Sequence, residues 1–91
     1  MVEIRFDKKF TQIFSKLKDK LLRTKIKKQI KKILESPETG KPMRFGRKGT
    51  RELYISPFRL SYKVEGNIVY ILALYHKDEQ QIVKPQSELP I

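Results

Sequence analysis

The stretch from Arg51 to Lys77 constrains this chain most. It reads as three consecutive β-strands, at residues 51–56, 58–65 and 67–76. Ser56-Pro57 makes the first corner, where proline pre-sets the backbone for a turn. Glu65-Gly66-Asn67 makes the second, a hairpin signal between two alternating apolar runs. Such a meander presents an apolar face that another layer has to cover.

Residues 1–50 supply that layer. Val2, Ile4 and Phe6 alternate with Glu3 and Arg5, the period of a half-buried strand. Asp7 is placed to cap a helix, and Phe10, Ile13, Phe14 and Leu17 follow at the spacing of one helical face. Leu22, Ile26, Ile30, Ile33 and Leu34 form a second stripe. Its phase differs from the first, so Lys18-Asp19-Lys20 is either the link of a helical hairpin or a kink in one helix. Pro37 disfavours a helical Ser36 and closes the segment. Glu38-Thr39-Gly40-Lys41-Pro42 is a turn-rich connector, Met43-Arg44-Phe45 a short strand, and Gly46-Arg47-Lys48-Gly49 a flexible basic stretch. One strand, two helical pieces and a run of antiparallel strands predict an α+β fold, an antiparallel sheet packed against two helices. Residues 1–80 form a single domain, and 81–91, polar with two prolines, form a loosely ordered C-terminal tail.

Composition narrows the class. Ninety-one residues hold one domain with a modest core. There is no Cys, which excludes a disulfide and a thiolate metal site and suits a reducing cytoplasm. The charged N-terminus lacks the apolar core of a signal peptide, and no apolar run approaches the roughly 18 residues of a membrane span. The net charge of +11 favours polyanionic partners: nucleic acid, ribosome or an acidic protein. Lys predominates over Arg, which suits diffuse phosphate attraction better than bidentate base reading.

Strand alternation sets Leu53 and Ile55 on one face of their strand, with Glu52 and Tyr54 on the other. It likewise sets Phe58, Leu60, Tyr62 and Val64 against Arg59, Ser61 and Lys63. Arg59 then either grips a phosphate through its guanidinium or pairs with Glu52 across the ladder. His76, the only histidine, is either structural or a proton-transfer group, since imidazole titrates near neutrality. One His, no Cys and scattered carboxylates give no metal-ligand spacing, and Gly46-Arg47-Lys48-Gly49 is not a phosphate loop. The helix lysines Lys16, Lys18, Lys20, Lys25, Lys27, Lys28, Lys31 and Lys32 are either a solvated face or a docking stripe for ribosomal RNA.

The segment Arg51-Glu52-Leu53-Tyr54-Ile55-Ser56-Pro57-Phe58-Arg59-Leu60-Ser61-Tyr62 resembles the strand-corner-strand of the RelE/ParE superfamily of type II toxins. Ile71-Leu72-Ala73-Leu74-Tyr75-His76-Lys77 resembles that family's last strand, which ends in a basic pair. Leu34-Glu35-Ser36-Pro37 and Gly40-Lys41-Pro42 also fit, and the likeness covers residues 1 to about 80. It implies a small β-α-α-β-β-β toxin that cleaves mRNA in the ribosomal A site without a cofactor or metal, by attack of the substrate 2′-OH. It also implies a cognate acidic antitoxin, with mRNA and the ribosome as the other partners and no membrane. Carried over by position, Arg59 would hold the phosphate, Lys77 would supply charge at the strand end, and His76 would protonate the leaving oxygen. The chain departs from RelE in having Glu52 and Tyr54 where basic residues stand, and no Tyr after Lys77, a variation similar to HigB-type relatives. Glu52 is then the candidate base and Tyr54 or Tyr75 the stacking platform. Arg47, Lys48, Arg51 and Ser61 complete the expected RNA-binding set. A gyrase poison of the ParE type and an RNA- or ribosome-binding module without cleavage are the alternatives.

Overall fold

A computed structural model describes residues 2–43 and 49–78. The chain runs β1 (Glu3–Phe6), α1 (Lys8–Lys16), α2 (Lys20–Glu35), a single 3-10 turn (Pro37–Thr39), β2 (Lys41–Pro42), β3 (Thr50–Ile55), β4 (Phe58–Glu65) and β5 (Ile68–His76). The strands form one sheet in the order β1-β5-β4-β3-β2. The last four strands pair antiparallel, as the meander predicts. β1 adds to the far edge of β5 in parallel, so the whole sheet is mixed. A parallel neighbour needs a crossover, which the two helices and the meander together provide.

The helices begin where their caps allow. The Asp7 carboxylate accepts from the Lys9 N–H at 2.9 Å and starts α1. Asp19 does the same for α2, accepting from the Leu22 N–H at 3.1 Å. Leu17 and Asp19 have extended backbones, so the two stripes are separate helices rather than one kinked one. Arg23 then ties them together. Its Nη1 donates to the carbonyls of Phe14 (2.9 Å) and Leu17 (3.1 Å), and its guanidinium lies 4.4 Å from the centre of the Phe14 ring. A cation at the C-terminus of α1 also opposes the helix dipole. Asp19→Ala removes the α2 cap and is expected to cost about 1 kcal/mol in urea unfolding.

Both helices lie on one face of the sheet. Phe10, Leu22, Ile26, Ile30 and Ile33 pack there against Ile55, Leu60, Tyr62, Val69, Ile71 and Leu74. Strand β4 follows the predicted alternation, with Leu60 and Tyr62 fully buried. Strand β5 does not alternate strictly. Ser61 pairs with Ala73 but Tyr62 pairs with Ile71, which leaves Leu72 as an extra residue. This bulge lets Ile71 and Leu74, three positions apart, both face the core. Gly66, at φ 61°, supplies the left-handed residue of the β4–β5 turn.

The short strand expected at Met43-Arg44-Phe45 begins two positions earlier, as β2. Met43 still donates its N–H to the Thr50 carbonyl at 2.9 Å, while Arg44 and Phe45 lie outside the described residues. The tail expected at 81–91 lies outside them too. Among the described residues no helix is long and apolar enough to cross a membrane.

Candidate functional site

Paired residues of neighbouring antiparallel strands project to the same side of a sheet. On the face away from the helices this register builds three rows. The first runs Tyr54–Arg59–Tyr75 across β3, β4 and β5. The second runs Glu52–Ser61–Ala73. The third runs Thr50–Lys63–Tyr70 and continues to Arg5 on β1. Rows are two residues apart, or roughly 7 Å along the strands.

Arg59 stands at the centre of the first row with a tyrosine on either side. Its side chain is 47% exposed, and its Nη1 donates to Glu52 Oε1 at 3.4 Å. That distance is at the long end of a hydrogen bond. A guanidinium has five N–H donors, so most of this one's donors face outward from the contact. Glu52 beneath it is buried at 8% exposure. The pairing of Arg59 with Glu52 across the ladder is therefore present, and it leaves the guanidinium available to a phosphate as well. Tyr54 is exposed at 55% and its hydroxyl reaches Ser56 Oγ at 3.4 Å. Tyr75 is half-buried. Ser61 is at 3% exposure, so it shapes the floor of the face rather than its surface.

Two of the expected residues stand elsewhere. Arg51 pairs with Tyr62 and so projects to the helix side. There its Nη1 donates to the Gly40 carbonyl at 2.7 Å and the Glu38 carbonyl at 3.3 Å, holding the connector after α2. Arg51 belongs to the scaffold of the site and not to the Arg59 face. It lines a shallow cleft with Pro37, Glu38, Gly49 and Val64, on the opposite side from Arg59. His76 pairs with Phe58 and also projects to the helix side, its ring edge-on to Phe58 at 5.7 Å. Its Nδ1 accepts from the Asp78 N–H at 3.2 Å. The structure thus separates His76 from Arg59 by the thickness of the sheet. Lys77 follows in a turn, its N–H bonded to the Pro57 carbonyl at 2.8 Å. Lys77 is exposed and lies one residue beyond the end of β5. Arg47 and Lys48 lie outside the described residues.

Lys63 and Tyr70 are members of the face that the expected site omitted. Lys63 Nζ lies 5.3 Å from the centre of the Tyr70 ring and 3.1 Å from Glu65 Oε2. Among the described residues no group of three His, Asp or Glu side chains converges on a point where a metal ion would sit.

The face is held in place from behind by Tyr62. Its ring is fully buried, its hydroxyl donates to the Pro37 carbonyl at 2.7 Å, and the same oxygen accepts from the Gly40 N–H at 2.8 Å. Burial raises the pKa of this phenol above 10.0, opposed in part by the Gly40 N–H and by Arg51. The folded state therefore holds the proton more tightly than the unfolded chain. This contribution is fully present below pH 10.0, the unfolded value, and is lost as pH rises through the folded one. Alkaline unfolding is expected to steepen above that pH, and a Tyr62→Phe variant, followed by circular dichroism, to lose that component.

These elements match those of known proteins. The model of the family described as the ParE toxin of type II toxin-antitoxin system, parDE, matches residues 4–81. No curated protein sequence matches the chain. Among solved structures, the YoeB/ParE toxin from Agrobacterium tumefaciens is similar with a TM-score of 0.76 at 15% identity, covering 82% of this chain and 98% of that one. The toxin-antitoxin complex RelBE of E. coli contains a chain with a TM-score of 0.72 at 23% identity, covering 87% and 100%. The chromosomal ParDE system from P. aeruginosa gives 0.66 at 18% identity, covering 84% and 96%. At such identities the solved structures establish the fold, and the match to the family model over most of the length establishes the lineage. The chain belongs to the ParE toxin family of type II toxin-antitoxin systems.

Proposed function

We propose that this toxin inhibits translation by cutting mRNA on the ribosome, and that the face around Arg59 makes the cut. The observation that carries this reading is the Tyr54–Arg59–Tyr75 row with the Glu52 carboxylate directly beneath Arg59. A guanidinium between two aromatic side chains binds a phosphate whose flanking bases stack. In the proposed step Glu52 takes the proton of the ribose 2′-OH, and that oxygen attacks the adjacent phosphorus. The bond from phosphorus to the 5′-oxygen breaks, and the leaving oxygen takes a proton from Lys77. The products are a cyclic phosphate and a 5′-OH. Arg59 stabilises the charge that builds on the phosphorane, and such electrostatic stabilisation is usually what lowers the barrier most. His76 stands on the other side of the sheet and acts, in this reading, by fixing the end of β5 rather than by proton transfer.

The partner follows from charge. A chain of net charge +11 is matched by an acidic antitoxin segment that orders on binding. The similarity to toxins solved in complexes such as RelBE supports that pairing.

A second reading, poisoning of DNA gyrase, is favoured by the description of the matched family and by the absence of His76 from the Arg59 face. Two assays on one preparation separate them. mRNA fragments from a translating extract are expected to carry cyclic phosphate ends, while gyrase supercoiling stays unaffected by the toxin. Inhibited supercoiling with intact mRNA would transfer the assignment to gyrase.

A further inference from the structure

The third row of the sheet face, Thr50–Lys63–Tyr70–Arg5, has no part in the proposed cut. The second row in front of it is low: Glu52, Ser61 and Ala73 are 8%, 3% and 7% exposed. The third row rises again with the half-buried Tyr70 ring. Lys63 approaches that ring from β4, its Nζ 5.3 Å from the centre, and Arg5 is the partner of Tyr70 on β1. A fourth row closes the face, because Ile68 pairs with Glu65 on one side and Glu3 on the other. Its carboxylates reach back to the cations. Glu65 Oε2 lies 3.1 Å from Lys63 Nζ, and Glu3 Oε1 lies 2.7 Å from Arg5 Nη2.

These ion pairs decide what the third row attracts. Each of its cations sits beside a carboxylate, so a phosphate gains little there. A base gains the Tyr70 ring, since stacking on an aromatic side chain needs no net charge. The acidic fourth row then repels the next phosphate and ends the path. Direction follows from the proposed chemistry. Glu52, which takes the 2′-OH proton, stands on the third-row side of Arg59, and Lys77 lies past the first row at the end of β5. The nucleotide that supplies the 2′-OH therefore lies over the second row, and its 5′ neighbour lies over the third. Rows are roughly 7 Å apart, against a step of about 3.4 Å between stacked bases. One nucleotide per row leaves the bases unstacked from one another and open to side chains. The bulge at Leu72 is what makes the ring available. With strict alternation Tyr70, five positions before Tyr75, would face the helices.

We infer that Tyr70, flanked by Lys63 and Arg5, is a base-stacking subsite for the second nucleotide 5′ of the cut, and that it favours a purine there. The inference rests on the proposed cleavage at Arg59 and adds a sequence preference to it. Purines are favoured because their larger ring system covers more of the tyrosine, and preferences of this kind come from stacking strength rather than base-edge hydrogen bonds. Lys63 and Arg5 hold the ring from its two sides, and Glu3 and Glu65 mark where the bound strand leaves the protein.

The test maps the 5′ ends that the toxin creates in mRNA from a translating extract, using the parent, Tyr70→Thr, Tyr70→Phe and Arg59→Lys. Threonine keeps strand propensity, and thermal melts confirm that each variant folds. Parent cuts are expected to be enriched about 3–10-fold for a purine at the second nucleotide before the cut. Tyr70→Thr is expected to flatten that position alone and to slow cutting by about 10-fold, the usual effect of losing one stacking platform. Tyr70→Phe, which keeps the ring, is expected to keep the enrichment. A parent without the enrichment, an enrichment unchanged in Tyr70→Thr, or equal flattening at every position would overturn the subsite. If cuts fade with Arg59→Lys but ignore Tyr70, the subsite falls and cleavage at Arg59 stands. An extract with no cuts from the parent overturns both.

Discussion

Arg59→Ala is expected to lower mRNA cleavage by about 10²–10³-fold, the usual effect of removing one preorganised charge from a phosphoryl or acyl transition state. The side chain is 47% exposed and makes one long contact to protein, so most of its donors serve whatever binds the face. The variant also leaves the buried Glu52 without this partner, and some stability is lost with it. Arg59→Lys separates the two effects. A lysine keeps a positive charge near Glu52 but offers a point charge in place of a planar fork. Melting is then expected close to the parent, with cleavage still reduced by about 10-fold or more, the contribution of one charge-assisted hydrogen bond. His76→Ala is expected to lose less activity than Arg59→Lys, because the imidazole faces Phe58 on the helix side. A loss of catalysis with His76 equal to that with Arg59 would mean that the substrate wraps the end of the sheet to reach both.

The largest effect on stability is expected at Gly40. A Cβ there would lie 2.8 Å from both Cε1 and the hydroxyl of Tyr62, and 2.9 Å from the Glu52 carbonyl. The Tyr62 ring is fully buried and cannot retreat, and the carbonyl belongs to β3. Gly40→Ala must therefore push Tyr62 out of its seat or lift β2 away from β3. Overpacking and two broken hydrogen bonds together are expected to cost about 2–4 kcal/mol in urea unfolding. Tyr62→Phe removes only the hydroxyl. It leaves the buried Gly40 N–H without its acceptor and is expected to cost about 1–3 kcal/mol. The double variant relieves part of the clash, so its cost is expected to fall short of the sum of the two. Strict additivity would show that Gly40 acts through the backbone alone. The same strand carries Glu52 and Tyr54, so the Gly40 variant is also expected to disturb the Arg59 face.

Local pattern carried much of this fold. Asp7 and Asp19 start the helices, Pro37 follows the end of α2, and the three long strands lie within a residue or two of their expected bounds. The change of phase at Lys18 marked a true break, because each helix must turn its own stripe to the sheet. Partner choice was not legible. Nothing in Val2–Phe6 says that it pairs with β5, and in parallel, since a half-buried edge strand reads alike in either direction. The bulge at Leu72 was hidden for a related reason. Tyr70 and Tyr75 are five positions apart, which strict alternation places on opposite faces, and the extra residue brings them together. Arg51 and His76 are different. Arg51 is in phase with Leu53 and Ile55, and His76 with Leu74, so alternation by itself assigned both to the helix side. Grouping them with Arg59 by residue type overrode that signal.

Whether the Arg59 face cuts mRNA during translation is decided by primer extension on mRNA from a cell-free translation reaction, run with the parent toxin and with Arg59→Lys. Discrete cuts that require translation, and that fade in the variant at equal folded concentration, are the expected result. Uncut mRNA with undiminished protein synthesis, or cuts of equal strength from both proteins, would contradict the assignment.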